Sequence, residues 1–197
     1  NKLTALDVSR NPALETLLAY ENGLTALDLS KNPALQRLSV GNNSLTALDL
    51  HQNPLLTQLK CKQNNLTDLD VSGLEKLAVL DCSDNQLKQL NVERNAALST
   101  LRCAGNQLDR VNVQPNVWLV TLDVSHNKLA ELDLATNTML AELYCADNQL
   151  TSVNLESNTG LRTLDVVKNK LDSLKLEANT MLAGLACGHN AIKTLNL

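Results

Sequence analysis

The chain has 197 residues, 44% of them hydrophobic, which is enough for one domain with a sizeable core. Its net charge of −4 argues against a nucleic-acid binder or an anionic-membrane binder, because both need a basic face. No segment approaches the roughly 18 apolar residues of a membrane span, so membrane insertion is not expected. Only 2% of the residues are aromatic, so the core has to be built from aliphatic side chains.

A repeat of 21 residues runs through the whole chain. Its first leucine recurs without insertion or deletion at Leu3, Leu24, Leu45, Leu66, Leu87, Leu108, Leu129, Leu150 and Leu171, followed by Ile192. Counting this leucine as position 0, positions 0, 3, 5, 11, 14 and 16 are apolar in every full repeat, and position 19 is always Asn. Residues 1–197 are therefore predicted to form a single domain of nine full repeats (3–191) and a partial tenth.

The first half of each repeat predicts extended backbone. It reads L-x-x-L-(D/N)-(L/V)-x-x-N in most repeats, as in residues 24–32, with no period of 3.6 residues and too little length for a helix. Because a horseshoe curves when helices lie opposite its sheet, a rod without helices should be only weakly curved. The repeat at 66–86 has Gly73 and Leu74 at its corner, which predicts a local bulge there.

The second half of each repeat predicts a β-strand. It reads L-x-x-L-x-(C/V)-x-x-N-x-L, as in residues 98–108. Side chains at positions 14 and 16 then point inward, and the one at position 15 points to solvent. One repeat cannot bury its own leucines, but stacked repeats bury them against each other, which predicts a parallel sheet with strands about 4.8 Å apart. The Asn side chains are expected to satisfy backbone groups at the corners.

This second-half pattern resembles the leucine-rich repeat, and the resemblance covers essentially the whole chain. It implies a β-rich, right-handed solenoid with a parallel sheet on its concave face. The five cysteines all occupy position 16, namely Cys61, Cys82, Cys103, Cys145 and Cys187. A strict 21-residue period with Cys at the inward strand position is similar to the internalin family of bacterial surface proteins, and to other bacterial surface proteins with these repeats, including those of Bacteroidetes.

The resemblance to internalins implies a non-catalytic adhesin-like module of a cell-surface or secreted bacterial protein. Such a module recognises a host or surface macromolecule, and here the ligand would be a protein or a glycan on the sheet face. The chain starts and stops within the repeat pattern and has no polar caps, so we expect a fragment of a longer array whose export signal lies outside it. Uncapped end strands would allow end-to-end self-association.

The cysteines themselves are expected to be buried, reduced thiols that take the place of core aliphatic residues. Their odd number and their spacing indicate neither a disulfide framework nor a zinc site, so no metal or cofactor is predicted.

The outward residues of the strand half differ from repeat to repeat, whereas position 4 is nearly always Asp or Asn. A surface fitted to a partner tends to vary, so we predict that positions 12–18 form the ligand-binding face. The candidate ligand-binding residues are Tyr20, Arg37, Lys60, Lys62, Asp81, Arg102, Asp123, Tyr144 and Asp165. The charges of Lys60, Asp81, Arg102 and Asp123 alternate, which fits either a stripe that meets a partner or a ladder of mutually neutralising pairs.

Two other patterns leave alternatives open. The row Asp7, Asp28, Asp49 and Asp70 suits either a cation or hydrogen bonds from nearby Thr hydroxyls and backbone N–H groups. Trp118 and Met139 share position 10 in successive repeats and form either an apolar patch at one edge or ordinary corner packing.

The sequence gives little support for an enzymatic function. Ser125, His126 and Asp147 are the only set that resembles a catalytic triad, and the pattern implies neither an oxyanion donor nor a pocket beside them. The main functional alternatives are the substrate-recruiting domain of an intracellular effector whose enzyme lies outside this fragment, and an architectural spacer.

Overall fold

Each full repeat contributes one short β-strand at positions 13–15 in the computed structural model, which describes residues 1–196. Two further short strands lie in the first half of the repeat, at Leu174–Lys175 in the ninth repeat and at Leu195–Asn196 in the partial tenth. The strands are β1 (Thr16–Leu18), β2 (Arg37–Ser39), β3 (Gln58–Lys60), β4 (Val79–Asp81), β5 (Thr100–Arg102), β6 (Thr121–Asp123), β7 (Glu142–Tyr144), β8 (Thr163–Asp165), β9 (Leu174–Lys175), β10 (Gly184–Ala186) and β11 (Leu195–Asn196). The predicted strand segment is confirmed.

The main sheet has nine parallel strands in the order β1-β2-β3-β4-β5-β6-β7-β8-β10. Each residue pairs with the one 21 positions later, as Leu38 does with Leu59 and Leu59 with Leu80. Because the register never slips, residues that share a repeat position form straight rows along the rod. Each repeat is therefore one coil of a leucine-rich repeat solenoid, as predicted.

The side opposite the main sheet is built from turns and extended segments, and residues 1–196 contain no helix. The turns repeat with the coil: the N–H of Asn32 donates to the carbonyl of Leu29 over 3.0 Å, and Asn53 does the same to Leu50. Near the end of the chain, β9 pairs with β11 in a second, two-stranded parallel sheet on this side. The prediction of strand-like backbone in place of helices is confirmed. Within the described residues no helix is long and apolar enough to span a membrane.

Stacked leucines fill the core between the two sides. The position-0 leucines from Leu24 to Leu171 are fully buried, as are the leucines at position 14 from Leu59 to Leu143. Four of the cysteines, Cys61, Cys82, Cys103 and Cys145, are buried as free thiols within this core, and Cys187 is half-buried. The cysteines thus act as small hydrophobic side chains, as expected.

Two columns of asparagines fasten one coil to the next. At position 19, Oδ1 of Asn85 accepts the N–H of Leu66 over 3.0 Å, while its Nδ2 donates to the carbonyls of Cys61, Cys82 and Ser83. At position 8, Nδ2 of Asn53 donates to carbonyls of the preceding coil. The predicted role of the asparagines at the corners is confirmed.

The bulge predicted in the repeat 66–86 is absent from the structure. The N–H of Leu74 donates to the carbonyl of Val71 over 3.0 Å, and the N–H of Leu77 to Leu74 over 3.0 Å, which are the bonds that Asn makes at other corners. The turn depends on backbone hydrogen bonds, so a leucine side chain can replace the asparagine without changing the path of the chain.

Candidate ligand-binding face

Six of the predicted ligand-binding residues form one continuous row. Lys60, Asp81, Arg102, Asp123, Tyr144 and Asp165 end the strands β3 to β8 and are aligned pair by pair in the sheet register. All occupy position 15, so we call them the position-15 row. Adjacent members are one strand spacing apart, about 4.8 Å. Because residues 21 positions apart pair on adjacent strands, these six residues form one continuous surface.

The carboxylates of this row are held by backbone N–H groups just after the ends of their own strands. Oδ1 of Asp81 accepts the N–H of Ser83 over 3.2 Å, and Oδ1 of Asp123 accepts that of Ser125 over 3.1 Å. Asp165 does the same with Val167 over 3.0 Å. These bonds fix the positions of the three carboxylates relative to the sheet.

The two cations of the row are not paired with these carboxylates. The ion pairs within 4.0 Å among residues 1–196 involve only His51 and His126. Lys60 and Arg102 are exposed, so their charges remain available at the surface. The alternating charges of the row thus form no ion pair within 4.0 Å, and the use of these charges by a partner stays a prediction.

Of the other three candidates, Arg37 and Lys62 lie beside the row on the same face, and Tyr20 lies farther along the rod. Arg37 begins β2, and its Nε donates to Oε1 of Gln58 on β3 over 3.1 Å. Lys62 follows β3 and packs closely against Gly41 on the preceding coil. A Cβ placed on Gly41 would lie only 3.1 Å from the carbonyl oxygen of Lys62. Tyr20 follows β1, and 53% of it is exposed. Tyr20 belongs to the first coil, two strands away from Lys60, so it lies apart from the row.

Tyr144 is the aromatic residue within the row, and it stands among acidic groups. Asp123 and Asp165 flank it on the neighbouring strands. Glu142 lies two residues earlier on the same strand and on the same face, where its Oε2 accepts the hydroxyl of Thr121 over 3.2 Å. The arrangement presents a half-buried phenol ring bordered by three carboxylates.

The Asp row on the opposite side is engaged with backbone groups. Oδ1 of Asp28 accepts the N–H of Ser30 over 2.9 Å, and Asp70 accepts that of Ser72 over 2.9 Å. These backbone hydrogen bonds are the largest of the effects that lower the pKa of Asp28 and Asp70. Of the predicted hydrogen-bonding partners, the backbone groups are the ones used. No three metal-ligating side chains within residues 1–196 are placed to hold a metal ion.

Sequence reasoning missed a contact that stacking creates on this side. Nδ1 of His51 lies 2.7 Å from Oδ1 of Asp49, and its Nε2 lies 3.5 Å from Oδ2 of Asp70 on the next coil. The hydrogen bond with Asp49 raises the pKa of His51, and the charges of Asp49 and Asp70 raise it further. The sequence signal was that His51 replaces a serine two residues after the Asp.

Sequence reasoning also missed that the residue at position 18 adopts a left-handed backbone conformation in every full repeat. Position 18 has φ between 54° and 64° in all nine full repeats, at Glu21, Asn42, Gln63, Asp84, Gly105, His126, Asp147, Lys168 and His189. Gly, Asn and Asp in several repeats were a signal for this conformation. The row brings His126 Nδ1 within 2.9 Å of Asp147 Oδ2 on the next coil. Ser125 is buried beside them, and its hydroxyl makes no hydrogen bond to His126 in the described part of the chain.

Trp118 and Met139 lie outside this face, at the corner that precedes the strands. Trp118 is 58% exposed and Met139 49% exposed, with the exposed Val117 and Val120 beside them in sequence. Of the two alternatives, an exposed apolar patch describes this edge better than corner packing.

Solved structures match this chain, whereas no family model and no curated protein matches its sequence. The functional domain of InlJ from Listeria monocytogenes, which includes a cysteine ladder, is 35% identical with a TM-score of 0.82, and the match covers 100% of this chain and 49% of that one. The leucine-rich repeat protein LIC12759 of Leptospira interrogans is 24% identical with a TM-score of 0.81, over 100% of this chain and 60% of that one.

A more distant match is the ectodomain of the plant membrane receptor kinase GASSHO1/SCHENGEN3 from Arabidopsis thaliana, solved in complex with Casparian strip integrity factor 2. It is 23% identical with a TM-score of 0.85, over 95% of this chain and 25% of that one. The Leptospira and Arabidopsis matches, at this identity, establish the fold. The chain spans about half the length of the InlJ domain that it matches.

Proposed function

We propose that this chain, an internalin-like leucine-rich repeat rod, is a protein-recognition module of a bacterial surface or secreted protein. The observation that carries the proposal is the position-15 row. Six side chains of four types, Lys, Arg, Asp and Tyr, are held in register on a stack of buried leucines, and the two cations among them form no ion pair within 4.0 Å. A rigid scaffold with varied polar groups on one face is suited to binding a partner.

Two comparisons support this role. The similarity to the InlJ domain extends over the whole chain, and that domain includes a cysteine ladder, as this chain has cysteines in a row at position 16. The Arabidopsis ectodomain, whose fold this chain shares, was solved in complex with Casparian strip integrity factor 2. Both favour recognition of a macromolecule over catalysis, and the first favours a bacterial surface or secreted protein.

The proposed anchors are Tyr144 and Arg102, because aromatic and Arg side chains dominate binding energy at protein interfaces. Binders would be selected from a phage-displayed library of random peptides on the immobilised protein. We expect Tyr144→Ala with Arg102→Ala to weaken the selected binders at least about tenfold, since two anchor truncations typically cost more than about 1 kcal/mol each. Both side chains are at the surface, so circular dichroism should be unchanged.

A matched pair of substitutions provides the control. Asp68→Ala with Asp109→Ala also removes two exposed polar groups, but from positions 1 and 2 of the repeat, outside the face. This control should bind like the wild type. If the selected binders have the same affinity for the Tyr144/Arg102 variant as for the Asp68/Asp109 control, the assignment of the face is overturned.

The proposed location has a separate test in the sequence of the complete reading frame. We expect an export signal upstream, with a surface anchor or further extracellular modules downstream. A fused catalytic domain without an export signal would overturn the surface location and make the rod a targeting arm for that enzyme.

A further inference from the structure

We propose that the ligand of this face is an extended peptide segment of about nine residues whose charges are segregated, acidic in one half and basic in the other. The inference rests on the proposed function and specifies its partner. It follows from the distribution of charge along the sheet, which differs between the two halves of the rod.

The outward positions of the strand region are 13, 15 and 17. From β2 to β5 they carry four cations, Arg37, Lys60, Lys62 and Arg102, and one anion, Asp81. From β6 to β8 they carry three anions, Asp123, Glu142 and Asp165, and no cation. Beyond β8 and before β2 the same positions hold only uncharged residues. The face therefore has a cationic half and an acidic half.

The anionic charges of the acidic half are fixed in position. The carboxylates of Asp123 and Asp165 accept the backbone N–H groups of Ser125 and Val167, and the carboxylate of Glu142 accepts a hydrogen bond from the Thr121 hydroxyl. Tyr144 lies between Asp123 and Asp165 and is half-buried, and an aromatic ring attracts a Lys or Arg side chain through a cation–π contact. A basic segment would thus meet three carboxylates and one aromatic ring.

The cationic half offers the opposite chemistry. Lys60 and Arg102 flank Asp81 on adjacent strands, and neither forms an ion pair with it within 4.0 Å. Asp81 is largely buried, 9% exposed, whereas both cations are exposed. An approaching ligand therefore meets the cations before the carboxylate, and an acidic segment is favoured here.

Charged groups at the margins do not remove this division. Arg162 and Lys168 lie at positions 12 and 18 of the eighth coil, at either end of β8, and Asp84 and Asp147 lie in the position-18 row. All four border the strands rather than project from their outward positions. With positions 12 and 18 counted, the face carries four cations and two anions from β2 to β5, and four anions and two cations from β6 to β8, so its long axis remains polarised.

The length of the ligand follows from the sheet. Six strand spacings separate β2 from β8, a span of about 29 Å at about 4.8 Å per spacing. An extended peptide advances about 3.3 Å per residue, so about nine residues cover this span. About half of them would lie over each half of the face.

The test compares two peptides of identical composition by fluorescence anisotropy. One has four aspartates, a glycine and four lysines in that order; the other alternates the same aspartates and lysines around the glycine. Both are acetylated and amidated, which removes terminal charges. We expect the segregated peptide to bind at least tenfold more tightly at low salt, and to lose most of that advantage in 1 M salt, where the Debye length falls to about 3 Å. Equal binding of the two peptides would overturn the inference.

A pair of variants locates the binding. Asp123→Asn with Asp165→Asn removes two charges and keeps an oxygen that can accept the N–H of Ser125 and Val167, so the fold should be retained. We expect it to weaken the segregated peptide at least fivefold, whereas Asp68→Asn with Asp109→Asn, which removes the same charge outside the face, should have no effect. An unchanged affinity in the first pair, or an all-aspartate peptide that binds as tightly as the segregated one, would also overturn the inference.

Failure of this inference can be separated from failure of the proposed function. If library-selected binders depend on Tyr144 and Arg102 but carry no segregated charge, and the segregated peptide has no advantage, the face is retained and the charge-segregated ligand is rejected. If no selected binder depends on the face, the proposed function itself is rejected.

Discussion

The backbone N–H of Leu87 donates a hydrogen bond of 3.0 Å to Oδ1 of Asn106, a residue nineteen positions later in the same coil. Leu87 is fully buried, and no other acceptor for its N–H lies within hydrogen-bonding distance in the described chain. Nδ2 of Asn106 donates to carbonyls that each accept a hydrogen bond from another donor as well. The carbonyl of Cys103 also accepts from Nδ2 of Asn127, and that of Ala104 from the N–H of Asp84. The asparagine oxygen is therefore the indispensable part of this corner.

The two asparagine columns should respond differently to leucine. Asn106→Leu strands the buried N–H of Leu87, and we expect it to lower the free energy of unfolding by about 3 kcal/mol. Asn116→Leu, at position 8, removes an amide whose buried Oδ1 has no partner and whose Nδ2 donates to the carbonyls of Val92 and Asn95. Those carbonyls keep the N–H groups of Asn95 and Leu98, so the cost should be about 1 kcal/mol.

Urea denaturation of the two variants measures this difference. Leu74 already occupies position 8 in the fourth coil with an intact turn, which shows that the substitution fits there. The control is Asn65→Ala, where the asparagine is exposed and its loss should be nearly neutral. Equal destabilisation by Asn106→Leu and Asn116→Leu would contradict the role assigned to Oδ1.

Gly105 should be far less tolerant of a side chain than Gly73. Its φ is +64°, and an added Cβ would collide with the carboxylate of Asp84 on the preceding coil. Gly105→Val is expected to cost about 2 kcal/mol of stability, because a β-branched residue is strained in the left-handed region. Gly73 has open space around the added Cβ, so Gly73→Val should cost well under about 1 kcal/mol. Thermal unfolding of both variants provides the measurement, and similar melting temperatures would contradict it.

His51 should make stability depend on pH. The carboxylates of Asp49 and Asp70 hold the pKa of His51 above its ordinary value, so the folded protein binds that proton more tightly than the unfolded chain. The resulting stabilisation is fully present below the unfolded pKa of about 6.5 and is lost as the pH rises through the folded pKa. The urea midpoint of the wild type should therefore exceed that of His51→Gln by more at pH 5 than at pH 9.

NMR titration separates the two carboxylates. Asp49→Asn should lower the pKa of His51 more than Asp70→Asn, because Asp49 contributes the hydrogen bond as well as a charge. The reverse order of the two effects would contradict the geometry.

The cysteines should react unequally with thiol reagents. Burial raises the pKa of Cys61 and of Cys145 to about 12, and it raises the pKa of Cys82 and Cys103 as well. Because the thiolate is the reactive species, these four should be inert to iodoacetamide at pH 8 in the folded protein. Cys187 is half-buried and should be alkylated first. Mass spectrometry after partial alkylation identifies the modified residue, and a control in urea should show all five modified.

Sequence periodicity predicted the repeated features of the fold well. A leucine every 21 residues and the L-x-L pattern determined where each strand lies, which residues are buried and which rows face solvent. These features depend on local alternation and on the need of each coil to bury its leucines against the next. The prediction of a bulge at Gly73 and Leu74 was wrong. The sequence shows that a side chain differs at this corner, but it does not show that the turn is held by backbone hydrogen bonds, which the side chain leaves unchanged.

The sequence by itself determined the solenoid, the inward cysteines and the candidate ligand-binding residues. Tertiary structure decided which groups meet across coils, namely His51 with Asp70 and His126 with Asp147. Within one coil, it decided that Oδ1 of Asn106 accepts the N–H of Leu87. It also decided that Lys60 and Arg102 keep their charges unpaired while the neighbouring carboxylates turn to backbone N–H groups. The physical reason is that a repeat fixes the spacing of side chains along the rod, whereas their hydrogen-bond partners depend on the backbone orientation at each strand end and corner.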